Sequence, residues 1–88
     1  MQETELRENV KAWVRNHSRL AEAGTMPILD DTDLLATGLL DSLGFVELMA
    51  HVEETTGLAI DLDGVEPEQF TSISGFCKLA LAGSGRVG

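Results

Sequence analysis

Tyrosine is absent from this sequence, tryptophan and cysteine occur once each, proline occurs twice, and residues 30 to 70 contain no lysine or arginine. A single cysteine rules out an intrachain disulfide, which is compatible with a reducing compartment, and a cytoplasmic protein is expected. No apolar run approaches the ~20 residues of a membrane span, and the first residues lack a basic patch followed by an apolar segment. A soluble chain without a secretory signal is therefore expected. The missing cations matter most: residues 30 to 70 carry eleven Asp and Glu, whereas residues 1 to 29 balance four acids with four bases. The net charge of −9 is thus concentrated in the middle of the chain. A field of that sign repels nucleic acid phosphates and steers toward basic protein surfaces, although a merely solubilising acidic face is the commoner meaning of such an excess.

At 88 residues the chain makes one small domain, expected over residues 1–82, with a glycine-rich flexible tail over 83–88. A domain of this size buries only about 60% of its unfolded surface, too little for a deep catalytic cleft. Enzyme signatures are missing as well. There is no G-x-S-x-G elbow, P-loop or dinucleotide fingerprint. His17 and His51 come with no orienting acid, and His51 falls about half a turn round its helix from the nearest candidate serine, Ser42. Asp61-x-Asp63-Gly64 fails as a calcium loop, because it puts Ala59 at the first ligand position and Phe70 where the bidentate glutamate belongs. Asp30, Asp31 and Asp33 could attract a divalent ion, but capping and solubility explain them more cheaply. No catalytic residue and no metal ligand is assigned.

Hydrophobic periodicity predicts an all-α fold, a small four-helix bundle with three main helices and one short one. Leu6, Val10, Trp13, Val14, His17 and Leu20 form the stripe of a first helix over about Thr4 to Leu20. Residues 21 to 40 read as a long connection anchored by Met26, Ile28, Leu29, Leu34 and Leu35, with a short helical turn at Thr32 to Ala36. A second helix runs from Ser42 to about Thr55 and stops at Gly57, with Phe45, Leu48, Met49 and Val52 toward the core. Leu58 to Leu62 alternates like a strand but has no visible partner, so an extended loop is expected. Pro67 starts a short third helix ending near Phe70. Thr71 or Ser72 caps the last helix, where Ile73, Phe76, Cys77, Ala80 and Leu81 keep helical spacing and make Cys77 a buried small hydrophobe.

The most informative stretch is Gly38-Leu39-Leu40-Asp41-Ser42-Leu43-Gly44. Asp41 reads as the N-cap of the second helix, which leaves Ser42 at the first helical position with no capping duty and a hydroxyl free for chemistry. Leu43, Val46, Glu47, Ala50, Glu53 and Glu54 lie opposite the core stripe. This outer face combines modest apolar groups with carboxylates, as a docking surface does; on composition alone a solvated face with a few stray apolar residues reads as well, and contiguity with Ser42 favours docking.

Asp41-Ser42-Leu43 at a helix start, followed by Val46-Glu47-Leu48 and the segments Pro67 to Phe70 and Thr71 to Ile73, closely resembles the acyl, aminoacyl and peptidyl carrier proteins over about Leu6 to Leu81. The resemblance implies an acyl-carrier-like fold in which Ser42 bears a covalent 4′-phosphopantetheine, installed by a phosphopantetheinyl transferase from coenzyme A with a divalent cation. The arm's thiol would hold an acyl or aminoacyl group as a thioester, so the chain would be a non-catalytic carrier. By the same resemblance Asp41 and Leu43 belong to the attachment motif. Leu43, Val46, Glu47, Ala50, Glu53 and Glu54 match recognition-helix positions, where basic loading and acceptor enzymes dock on a monomeric carrier. Gly44 after the leucine, a longer connection around Asp61 to Gly64, and Gly38-Leu39-Leu40 look more like freestanding carriers, such as D-alanyl carriers or discrete carriers of polyketide and nonribosomal peptide biosynthesis. Thr56 stands where many acyl carriers place a large aromatic, which favours a short or polar cargo. The competing reading is an unmodified acidic helical adaptor that binds a basic protein through the second helix, and a small serine hydrolase ranks last.

Overall fold

Three α-helices organise the computed structural model: α1 (Glu3–His17), α2 (Ser42–Thr56) and α3 (Ile73–Leu81). The structure describes residues 2–20, 24–60 and 62–82, and the backbone of 85–86. In α1 the i, i+4, i+8 residues Leu6, Val10 and Val14 are fully buried, and the helix packs chiefly on α3 and less on α2. Its partners on α3 are supplied by the matching stripe of Ile73, Phe76, Cys77 and Ala80, all without exposed surface. From α2 come Phe45, Leu48 and Val52, with Met49 packed at the edge. Phe45 links the layers, its ring 5.7 Å from Phe70 and 5.4 Å from Phe76 in an edge-on arrangement. Contacts of that kind add to simple area burial because ring edges and faces carry opposite partial charge.

α1 stops at His17 rather than continuing to Leu20. Ser18 is the reason: its backbone turns extended, its hydroxyl donates to the Leu39 carbonyl, and it accepts the Leu20 N–H. A serine that satisfies local backbone groups competes with helix continuation, and here the competition is won by a contact across the fold.

Below α1, the long connection is held by charge and by hydrogen bonds. Lys11 Nζ lies 2.7 Å from Asp30, with Arg7 alongside at 3.7 Å. Asp33 accepts the Leu35 and Ala36 N–H groups on one oxygen and the Thr71 hydroxyl on the other. These bonds make the anticipated turn near Thr32 to Ala36, though as turns rather than regular helix. Ile28, Leu34, Leu39 and Leu40 are buried from this segment, while Leu29 and Leu35, expected as anchors, point outward. In a non-repetitive segment no period says which apolar residue faces in.

The short third helix is a single 3₁₀ turn, Pro67–Gln69, so among the described residues the three main helices are α-helices and the short one is 3₁₀. Ser72, not Thr71, caps α3 by accepting the Gly75 N–H. Thr71 is buried and spends its hydroxyl on Asp33. The 3₁₀ turn comes so close to α3 that a Cβ on Gly75 would sit 2.4 Å from the Gln69 carbonyl oxygen. Leu58 does have a strand partner: β1 (Leu58–Ala59) pairs antiparallel with β2 (Gly85–Arg86). The expected extended loop is thus corrected at its start. Of the expected flexible tail, residues 83, 84, 87 and 88 lie outside the described residues. Among the described residues no helix is long and apolar enough to cross a membrane.

Candidate functional site

The open end of α2 is built by Asp41. Its extended backbone ends the preceding loop, and its Oδ1 accepts the Gly44 N–H at 2.7 Å, filling one of the donors a helix start leaves unsatisfied. Gly44 permits the closeness: a Cβ there would meet Asp41 Oδ1 at 3.2 Å and a Leu40 methyl at 3.3 Å. The Gly44 bond, and next to it the positive charge of Arg19, hold the Asp41 carboxyl below the usual carboxylate range. Asp41 is thus anionic and already engaged.

Ser42 follows at the first position of α2 and is exposed. Its hydroxyl makes no hydrogen bond among the described residues. Among the described residues no hydrogen bond joins that alcohol to a base that could activate it as a nucleophile. Both histidines are occupied elsewhere. His17 stacks on Trp13 at 4.2 Å, and His51 lies on the same indole at 5.6 Å with Nε2 against Asn9 Oδ1 at 2.8 Å.

Leu43, Val46, Glu47, Ala50 and Glu54 share the exposed outer face of α2, and Leu43 and Val46 each leave 59% of their surface in water. Two large apolar groups that exposed on one helix, with Glu47 and Glu54 on the same face, form a surface patch beside Ser42. Glu53 behaves differently from the other five. It is half-buried and accepts the Ile60 N–H at 2.7 Å, so its carboxylate pins the segment after α2.

Arg19 is the residue of this site that the sequence hid. It stands 22 positions before Asp41, and only the fold brings its Nη1 to 3.1 Å from Asp41 Oδ2. By composition it was one of four bases balancing the acids of the first third. With Leu20, Leu39 and Glu47 it edges an open notch of about 230 Å³ beside the tip of α2.

A covalent phosphate ester requires an accessible alcohol without a partner among the described residues and nearby groups able to face an anion. Ser42 provides the first, and the backbone donors at the start of α2 with the Arg19 guanidinium provide the second. The family model described as the phosphopantetheine attachment site matches residues 19–80 of this chain, from Arg19 through most of α3. No curated protein matches it.

Proposed function

Because the chain belongs to the phosphopantetheine attachment family, whose members carry 4′-phosphopantetheine covalently, we propose that Ser42 is its point of attachment and that it shuttles acyl or aminoacyl groups between partner enzymes. The observation that carries this reading is the exposed Ser42 hydroxyl, which has no hydrogen-bond partner among the described residues while Asp41 does the capping. In the loading step the Ser42 oxygen forms a bond to phosphorus as its proton is lost to the transferase. The pyrophosphate link of coenzyme A breaks, and adenosine 3′,5′-bisphosphate leaves. The arm then supplies a terminal thiol that holds cargo as a thioester.

Everything else falls to the chain's own residues. α2 fixes the direction of departure of the arm, and Asp41 keeps the first turn of that helix formed. Leu43, Val46, Glu47, Ala50 and Glu54 give partners an apolar centre with an acidic border, which favours enzymes with basic docking surfaces and speeds encounter at low salt. Such a carrier does no chemistry itself and works as a monomer. The interior is filled by the Phe45, Phe70 and Phe76 cluster and its aliphatic neighbours. That packing supports a short or polar cargo kept outside the bundle, as in polyketide or nonribosomal peptide biosynthesis.

The test is a mass measurement. Apo-protein incubated with coenzyme A, magnesium and a promiscuous phosphopantetheinyl transferase gains one phosphopantetheine, and Ser42→Ala gains none. A folded protein that gains nothing is instead an unmodified acidic adaptor.

A further inference from the structure

The attachment site sits in a stretch of one charge sign. Residues 30 to 70 hold no lysine or arginine, and Asp41 occupies the position directly before Ser42. A phosphodiester on Ser42 adds another negative charge beside that carboxylate. Any cation that offsets it must come from outside the stretch, and Arg19 is already there, donating from Nη1 to Asp41 Oδ2 at 3.1 Å. A guanidinium has five donors in a planar fork. Nη1 is in use, and the Nε and Nη2 donors of Arg19 make no hydrogen bond among the described residues. The side chain is 71% exposed, which leaves those donors open to solvent and to an incoming anion.

We propose that Arg19 is a positioning residue for the prosthetic arm: held beside Ser42 by Asp41, it donates its spare N–H groups to the phosphodiester in the modified protein. Asp41 then has two roles, capping α2 with one oxygen and tethering with the other the cation that offsets its own repulsion of the phosphate. The phosphate end of the arm is thereby fixed against the α1 side of the site, while the thiol end stays free. Lysine could offset the charge but not bridge carboxylate and phosphate with a rigid fork.

This inference rests on Ser42 being the modified residue, and the experiment separates the two. Nitrogen-15 spectra of the arginine Nε–H groups are recorded for the apo and phosphopantetheinylated protein, with phosphorus-31 spectra of the modified wild type, Arg19→Lys and Arg19→Gln. The Arg19 Nε–H signal should move on modification and return toward its apo position between 0.05 and 1 M salt, as the screening length falls to about 3 Å. The phosphorus signal should shift in Arg19→Gln and by a smaller amount in Arg19→Lys. A protein carrying the arm by mass, with an unmoved Arg19 signal or an unchanged phosphorus signal in Arg19→Gln, overturns the role of Arg19 alone. A salt-insensitive shift does the same. Failure to gain the arm overturns both this role and the assignment of Ser42.

Discussion

Deleting the Ser42 hydroxyl should change the number of fast-reacting thiols on the folded, transferase-treated protein from one to none. The magnitude follows from Cys77, the chain's own thiol. It has no exposed surface, and burial pushes its pKa up to about 12. At pH 8 a thiol with that pKa is about 10⁻⁴ ionised, against roughly a quarter for an ordinary thiol near 8.5. The more basic thiolate is the better nucleophile, which recovers a factor of about 40 at a Brønsted slope near 0.45 and leaves a deficit of only about 60-fold. Access decides the rest. A fully buried sulfur reacts only when the chain opens, and open fractions for such domains run to about 10⁻³ or below. Once the chain opens, Cys77 regains an ordinary thiol pKa, so the two effects do not multiply, and the need to open by itself makes Cys77 slower than an exposed arm thiol by about 10³ or more. A disulfide-exchange dye followed by absorbance should show one thiol per chain within seconds in the loaded wild type. Loaded or not, Ser42→Ala should show none until denaturant releases one. Rapid reaction of Ser42→Ala under native conditions would refute the burial argument, and a loaded protein without a fast thiol would refute the arm. The same raised pKa sets an alkaline limb. The folded protein holds the Cys77 proton more tightly than the unfolded chain, so this contribution to stability is intact below about 9 and is lost as pH climbs toward about 12. Replacing Cys77 by Ala should flatten that limb in pH-dependent melts.

Four further outcomes follow from individual contacts. Ser42→Ala should leave stability within about 0.5 kcal/mol of wild type, whereas Asp41→Ala should lower the melting temperature and Asp41→Asn should retain most of the cap; equal losses from Ser42→Ala and Asp41→Ala in circular dichroism melts would contradict the capping assignment. Asp33→Ala should cost about 1–3 kcal/mol in urea unfolding because it strands the buried Thr71 hydroxyl. Backbone and Thr71 hydrogen bonds hold the Asp33 carboxyl below its ordinary range, so its contribution should be present above about pH 4 and disappear as pH falls through the lowered folded value, a dependence absent from the variant. Gly75→Ala should destabilise by about 1–3 kcal/mol, the clash with the Gln69 carbonyl outweighing the helix propensity gained, and an increase in the urea midpoint would show that the 3₁₀ turn can give way. Glu47→Lys and Glu54→Lys should slow turnover by partner enzymes, most at low salt, without altering the melt; unchanged kinetics with a verified partner would remove these residues from the docking face.

The helices were legible because each repeats its apolar residues at a period that survives in one dimension. Leu6, Val10 and Val14, then Phe45, Leu48 and Val52, then Ile73, Phe76, Cys77 and Ala80 all reached the core as the spacing required. Segments without a period were read less well. Leu29 and Leu35 turned outward while Leu39 and Leu40 turned in. The β1–β2 pair was invisible because a two-residue ladder joined by backbone hydrogen bonds leaves no mark in a glycine-rich sequence. Ser18 ended α1 early through a bond to Leu39, a partner 21 residues away.

The site divides in the same way. The sequence alone established the helix start at Asp41, the exposed alcohol at Ser42 and the outer stripe from Leu43 to Glu54, because capping and helical phase depend only on neighbours within a turn or two. Tertiary structure alone decided that Glu53 is spent on Ile60, that Thr71 belongs to Asp33 rather than to a helix cap, and that Arg19 reaches Asp41. Those pairings join residues that are distant along the chain or that had a second plausible partner, and a polar side chain takes the partner that the packed backbone sets within hydrogen-bonding reach.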